Sequence, residues 1–454
     1  MDSADVVVIG GSAAGLTAAI TSRRHYREKS VLLIRQEQQV LIPCGIPYIF
    51  GTLGTCSKDL IPDATLEKNN ISLLIDEVTG IHPDKKTVTT AGGKEVGYSR
   101  LILATGSLPV MPPISGLDKG NIFAIRKDIP YLEKMYEALN KASNVLIVGC
   151  GFIGVELAEE CKKNRNVNIK IVEMLRHCLQ LTYDEEFCVK AENVLQSADI
   201  EILTKDRVEA FLGDKDVRKV RLSSGAELDV DMVILGIGAK ANTLLAENAG
   251  LEIGPTKGIQ VNRYMETSDP SIFACGDCAE KVSFFDGKPS PLKLASIAAM
   301  EARIAGANLF APRRANMGVI GVYSTILGDV AFAAAGLTEC AAKERGYNVL
   351  VGESESPNRH PGCMEGAQPL KVKLIFAAGT GELIGGQVSG AKSAGELINA
   401  ISACIHQRMT ADDIATFQTG THPGLTASPI AYQLVNAAEV AIANSWRLST
   451  RWAM

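Results

Sequence analysis

Asp5-Val6-Val7-Val8-Ile9-Gly10-Gly11-Ser12-Ala13-Ala14-Gly15, running into the apolar-periodic stretch Leu16 to Arg24, decides how the chain is read. Four consecutive β-branched residues, Val6 to Ile9, predict a strand buried on both faces. The glycines predict a tight turn, and Leu16 onward a helix whose N-terminus faces that turn. Such a helix start favours a pyrophosphate, because its unbonded N–H groups and its dipole both attract negative charge. Gly10 supplies the turn and Gly15 the close helix–strand packing. Ser12 stands at the usual middle glycine and is small enough to let a ligand approach, with Ala13 and Ala14 beside it.

A second copy strengthens the reading. Asn144 to Val148 predicts another buried strand, followed by Gly149-Cys150-Gly151-Phe152-Ile153-Gly154 with all three glycines in place. Glu173 closes the next apolar strand, Ile169 to Val172, 19 residues after Gly154. A carboxylate there hydrogen-bonds a ribose 2′-hydroxyl and repels a 2′-phosphate, which favours NADH. Arg176, three residues on, could hold a phosphate, so NADPH stays open. Two turns of this kind imply two dinucleotides. In the first unit Arg35 occupies the expected carboxylate position, which leaves Glu37 as the candidate ribose contact.

With 454 residues, 46% of them hydrophobic, the chain has room for three domains. A net charge of −5 with no basic tract argues against nucleic acid. No apolar run approaches the roughly 18 residues of a membrane span, and the N-terminus enters the first strand directly, so a cytoplasmic location is expected. The eleven cysteines are then expected as thiols rather than cross-links.

Among them, Cys44 lies in Val40-Leu41-Ile42-Pro43-Cys44-Gly45-Ile46-Pro47-Tyr48-Ile49-Phe50-Gly51, about where a helix begins. A helix start biases a thiol toward the thiolate that attacks disulfides and persulfides; a small buried hydrophobe is the other reading. Cys56 is twelve residues away, so no resolving pair is evident. Cys275 and Cys278 form a C-x-x-C pair, but no second pair stands nearby to suggest zinc.

Taken together, Gly10 to Gly15, Cys44-Gly45-Ile46-Pro47-Tyr48, Leu101-Ile102-Leu103-Ala104-Thr105-Gly106-Ser107, Gly149 to Gly154 and Thr267 to Asp277 resemble the pyridine nucleotide-disulfide oxidoreductase family. Within it, the likeness is to the single-cysteine branch of coenzyme A disulfide reductases, NADH-dependent persulfide reductases, NADH peroxidases and NADH oxidases. The resemblance implies an α/β fold with two Rossmann-like dinucleotide-binding domains and a C-terminal α+β dimerisation domain. The expected division is 1–111 and 255–315 for FAD, 112–254 for NAD(P)H, and 316–454 for dimerisation.

By the same resemblance Cys44 is the redox-active cysteine beside the flavin, and Thr105, Gly106, Gly276 and Asp277 contact the flavin nucleotide. Phe152 covers the flavin until nicotinamide displaces it, although a core aromatic is the plainer reading. Glu156 stands near the nicotinamide or, more simply, answers the helix dipole. The strand Asp231 to Leu235 leads into a glycine loop at Gly238, expected to return the chain toward the nicotinamide pocket. Ser57 to Arg100 reads as a β-meander insertion, and the C-terminal segment as strands followed by helices.

The implied reaction is electron transfer from NADH through FAD to sulfur held on Cys44, the acceptor being a disulfide, persulfide or polysulfide. His422 of the partner subunit, or Tyr48, would protonate the leaving sulfur. The carboxylate that orients such a histidine is replaced by Ala427 or Ser428. Arg23 and Arg24 match positions used toward coenzyme A, or else complement a helix dipole. The serine and asparagine that precede the cysteine in coenzyme A disulfide reductases are absent. Two alternatives stand beside this: an NADH oxidase or peroxidase using O2 or H2O2, and a flavoprotein reductase of a protein electron carrier. A homodimer is expected, with neither nucleic acid nor metal.

Overall fold

The structure, a computed structural model, describes residues 3–451, so the extreme ends of the expected 1–111 and 316–454 segments lie outside it. The described chain forms two compact units, one of residues up to 113 with 121–142 and 237–319, the other of 114–120, 143–236 and the residues from 320 on.

In the first unit, strands Ser72–Ile75, Val31–Arg35, Ser3–Ile9 and Glu95–Leu103 lie side by side in parallel, and Ile272–Ala274 adds to the last of them. Val8 pairs with Leu33 on one side and Ile102 on the other, and all three side chains are fully buried. That double burial is why the β-branched run has no polar alternation. Helix Ala13–His25 packs alanines against helix Ala295–Asn308; a Cβ on Gly306 would fall 2.7 Å from the Ala18 carbonyl oxygen.

The expected meander is only part of the 57–100 segment. Val78–His82, Thr87–Thr90 and the start of Glu95–Leu103 are antiparallel, whereas Ser72–Ile75 is a parallel edge strand. Glu95–Leu103 is one continuous strand, so the meander and the parallel core share it. Residues 237–254, grouped in sequence with the second nucleotide-binding segment, pack in this first unit.

In the second unit, strands Ile200–Thr204, Asn168–Glu173, Asn144–Val148 and Met232–Leu235 are parallel in that order. The C-terminal part is an antiparallel sheet ordered Val322–Leu327, Val330–Gly336, Leu383–Gly390, Pro369–Ala377, Val349–Pro357. Helices Ala394–His406 and Gln433–Arg451 cover it. Strand and helix approach so closely that a Cβ on Gly352 would lie 1.8 Å from the Ala437 carbonyl oxygen.

Within the β-rich stretch Val322–Leu327 and Val330–Gly336 form a hairpin, and Val349–Pro357 is a further strand that polar Glu353 and Glu355 concealed. The cysteines are not all thiols, because Cys150 and Cys178 form a disulfide.

Candidate functional site: two glycine turns and an exposed cysteine

The first turn fits the FAD that the resemblance implies. Gly10 has φ +110°, and a Cβ there would stand 2.2 Å from the Ala104 carbonyl oxygen; one on Gly15 would stand 1.9 Å from that of Gly10. Ser12 caps helix Ala13–His25 without a side-chain bond, and no acidic residue occupies the first turn. The leading N–H groups, including those of Ala13 and Ala14, are therefore available to an anion. Gly276, at φ +77°, lies against Ala14, and the Asp277 carboxylate accepts from the Ser107 hydroxyl at 2.8 Å. Thr105 donates to the Asn242 carbonyl at 2.6 Å, and Gly106 accepts the Asn242 N–H at 2.9 Å.

Two buried charges hold this loop. Glu301 accepts the Gly276 N–H at 2.9 Å, Lys281 donates to the Gly276 carbonyl at 2.6 Å, and the two side chains pair at 3.3 Å. Burial outweighs the lysine and pushes the Glu301 carboxyl up to about 7. Neither residue was found in sequence, where each stands among unremarkable neighbours.

Arg35 is committed elsewhere: it forms a bidentate ion pair with Asp63, at 2.6 and 2.8 Å, and donates to the carbonyls of Glu37 and Gln38. The Glu37 side chain is half-buried. Arg23 donates to the carbonyls of Asn69, Arg27 and Lys29, which ties down the helix end, and Arg24 is exposed.

Cys44 is exposed, in a 3-10 turn (Pro43–Gly45) that opens a helical run continuing through Ile46–Tyr48 and Ile49–Leu53. Tyr48 is half-buried on that run. Cys56 is a buried thiol, its pKa raised by burial. Gly45, the residue after Cys44, touches Asp59 so tightly that a Cβ would fall 1.8 Å from Oδ1. Asp59 is 2% exposed, Oδ2 has no hydrogen-bond partner, and burial pushes the carboxyl up to about 6.

In the second turn Gly149 has φ +99°, and a Cβ on Gly154 would lie 2.0 Å from its carbonyl oxygen. A Cβ on Gly151 meets nothing, so packing does not require glycine there; the space suits an approaching nucleotide. Glu173 accepts the Cys150 N–H and the Leu175 N–H, both at 2.8 Å. Arg176 pairs with Glu185 at 2.9 Å. Ile153 is exposed. Phe152 stacks on Tyr323, centroids 5.2 Å apart and planes 6° from parallel. Glu156 accepts from the Thr325 hydroxyl at 2.8 Å, and burial pushes it up to about 7. Tyr323 and Thr325 lie in a segment read only as β-rich, with no local motif to distinguish them. Gly238, at φ +95°, packs with the first unit, its carbonyl accepting from Val110.

The C-terminal loop places His422 at the surface. Its Nδ1 accepts the Gly424 N–H at 3.2 Å, so Nε2 carries the hydrogen in the neutral ring. A backbone amide thus sets the orientation of this ring. His360 joins the loop, its N–H donating to the Pro423 carbonyl at 3.1 Å. Cys275 and Cys278 are buried thiols, and no metal-binding cluster occurs among the described residues. Nor, among them, is any helix long and apolar enough to cross a membrane.

Residues 4–302 match the family model for pyridine nucleotide-disulphide oxidoreductases, and 322–431 that family's dimerisation domain. The chain is 30% identical over 427 residues to the NADH oxidase of Methanocaldococcus jannaschii, covering 91% of this chain and 93% of that protein. It is 31% identical over 401 residues to the NAD(P)H coenzyme A polysulfide/persulfide reductase of Pyrococcus horikoshii, covering 85% and 87%. An NAD-dependent persulfide reductase from A. fulgidus superposes with a TM-score of 0.90 at 32% identity, over 98% of this chain and 84% of that one.

Proposed function

Because the chain belongs to the pyridine nucleotide-disulphide oxidoreductase family, with FAD and NAD(P)H as its cofactors, we propose that it reduces a disulfide, persulfide or polysulfide at Cys44. The observation that carries this is an exposed thiol at the opening of a helical run, where the thiolate is favoured. Bound FAD supplies the two-electron relay between pyridine nucleotide and sulfur. The remaining work falls to side chains. The Cys44 thiolate attacks the acceptor, forming a mixed disulfide and expelling one thiolate; two electrons then cleave that bond and restore the Cys44 thiolate. Tyr48, or His422 of the partner subunit, protonates the departing sulfur. Glu173 holds the ribose of NADH, and coenzyme A is the candidate carrier of the acceptor, as in the P. horikoshii relative's name.

A second reading, an NADH oxidase in which Cys44 cycles through a sulfenic acid, is favoured by the M. jannaschii relative. Reoxidation of the reduced enzyme, together with turnover of wild type and Cys44→Ser, separates the possibilities. Sulfur reduction requires that coenzyme A disulfide or polysulfide reoxidise the reduced wild-type enzyme faster than air does, and that Cys44→Ser lose at least about a hundredfold, the usual weight of a participating group. Faster reoxidation by air supports the oxidase. Full turnover of Cys44→Ser with the natural acceptor removes the cysteine from the mechanism.

A further inference from the structure

The geometry points to Cys150–Cys178 as a thiol–disulfide modification site, exchanged by low-molecular-weight thiols, whose state sets the affinity of the second glycine turn for NADH. This rests on assigning that turn to NADH.

Cys150 stands between the first two glycines of the turn, and Cys178 lies five residues beyond Glu173, so the cross-link closes a 28-residue loop containing the turn, helix Phe152–Lys162 and strand Asn168–Glu173. Two hydrogen bonds join the same two pieces. The Cys150 N–H donates to Glu173, and the Cys150 carbonyl accepts the Leu179 N–H at 2.9 Å. The Cys178 N–H donates to Glu192 at 2.8 Å, which anchors the loop to helix Glu185–Ser197. The disulfide therefore fixes the carboxylate that would meet the ribose relative to the amides that would meet the pyrophosphate.

The loop has a reason to move once the bond opens. Leu179 sits at φ +59°, a left-handed conformation that its branched side chain disfavours. Met174 and Leu181 are 67% and 86% exposed, so the segment is held by Cys178 and its neighbours rather than by a broad apolar face. Both cysteines are buried, at 1% and 0% exposure, so exchange follows loop opening.

A thiolate attacks one sulfur of the pair, forming a mixed disulfide and releasing the other as a thiolate. A second thiolate then attacks the mixed disulfide, releasing the protein thiolate and a low-molecular-weight disulfide. Two external thiols are thereby oxidised to one disulfide, and the pair gains two electrons and two protons. The reverse exchange closes the bond again.

The test uses the flavin-loaded Cys44→Ser protein, so that reagents act on no catalytic sulfur. Thiols are counted by alkylation and mass measurement before and after millimolar dithiothreitol, and NADH affinity is read from the concentration dependence of flavin reduction in rapid mixing. The expectation is two additional thiols, at positions 150 and 178. NADH should bind at least about fivefold more weakly, the lower range of coupling between two sites, and reoxidation with a low-molecular-weight disulfide should restore it. Cys178→Ser should match the reduced form and ignore dithiothreitol. An unchanged thiol count, or equal NADH affinity in both states, overturns the switch. Glu173→Ala distinguishes the premise. If that change weakens NADH while redox state does not, the nucleotide assignment stands and the switch fails; if neither affects NADH, the assignment fails and the switch with it.

Discussion

Above about pH 6 Asp59 is a buried carboxylate, one oxygen unpartnered, pressed against the glycine that follows Cys44. Its folded pKa is raised from 3.8, so the protonated form is the better-tolerated one. The associated stability is complete below 3.8 and disappears as pH rises through about 6. Asp59→Asn should remove that loss, narrowing the difference in unfolding free energy between pH 4 and pH 8 by about 2–3 kcal/mol. Urea unfolding at the two pH values checks this, and an unchanged difference would show that the carboxylate finds compensation. Phe152 presents a second case. If it yields to nicotinamide, its stacking on Tyr323 opposes the displacement by the roughly 0.5–1.5 kcal/mol of an aromatic pair. Tyr323→Ala should therefore lower the KM for NADH about threefold to tenfold with kcat held. A raised KM would mean that Tyr323 supports the bound nucleotide instead.

Helix Ala295–Asn308 supplies Glu301, so the loop at Gly276, the proposed flavin contact, is fixed by an element that no sequence motif marks. Removing one member of a buried pair leaves the other as an unpaired charge, a cost of about 3–5 kcal/mol, whereas replacing both with apolar residues is far milder. Glu301→Ala should thus purify with a reduced flavin-to-protein absorbance ratio and melt earlier, while Lys281→Met combined with Glu301→Leu recovers most of the melting temperature. Equal losses from the single and double changes would refute the charge argument. What was legible followed from local cause. Val6 to Ile9 had to be buried, Gly10 had to turn, and helix Ala13–His25 had to follow, because each is forced by residues adjacent in sequence. The Lys281–Glu301 pair, Asp59 beneath Gly45, and Cys150 bonded to Cys178 depend on side chains meeting across intervening chain, and no spacing rule announces them. Strand Val349–Pro357 was hidden for a different reason: its exposed polar residues give it the composition of a loop, and its pairing with Pro369–Ala377 alone makes it a strand.

At the scale of the whole molecule the two nucleotide turns belong to one chain, while the C-terminal segment carries the family's dimerisation domain. In this segment Leu425 and Ile430 are 71% and 88% exposed in a single chain, flanking the buried Ala427. The nearby loop is held through its backbone: the His360 ring faces the Thr426 carbonyl at 3.0 Å and Thr426 accepts the His422 N–H at 3.1 Å. An apolar surface beside a histidine ordered in this way is what a two-fold interface would cover, each copy presenting the same patch to the other. Ile430→Asp places a charge in that patch and should shift the protein to monomers in sedimentation. The two activities should then divide. Flavin reduction by NADH, if both nucleotide turns act within one chain, should persist within about twofold, since uncoupled surface changes are small in energy. Turnover with a disulfide acceptor should fall with the dimer fraction if His422 of the partner subunit protonates the leaving sulfur. A monomer that reduces disulfides at the wild-type rate would assign that proton to Tyr48 and leave the C-terminal domain with assembly alone.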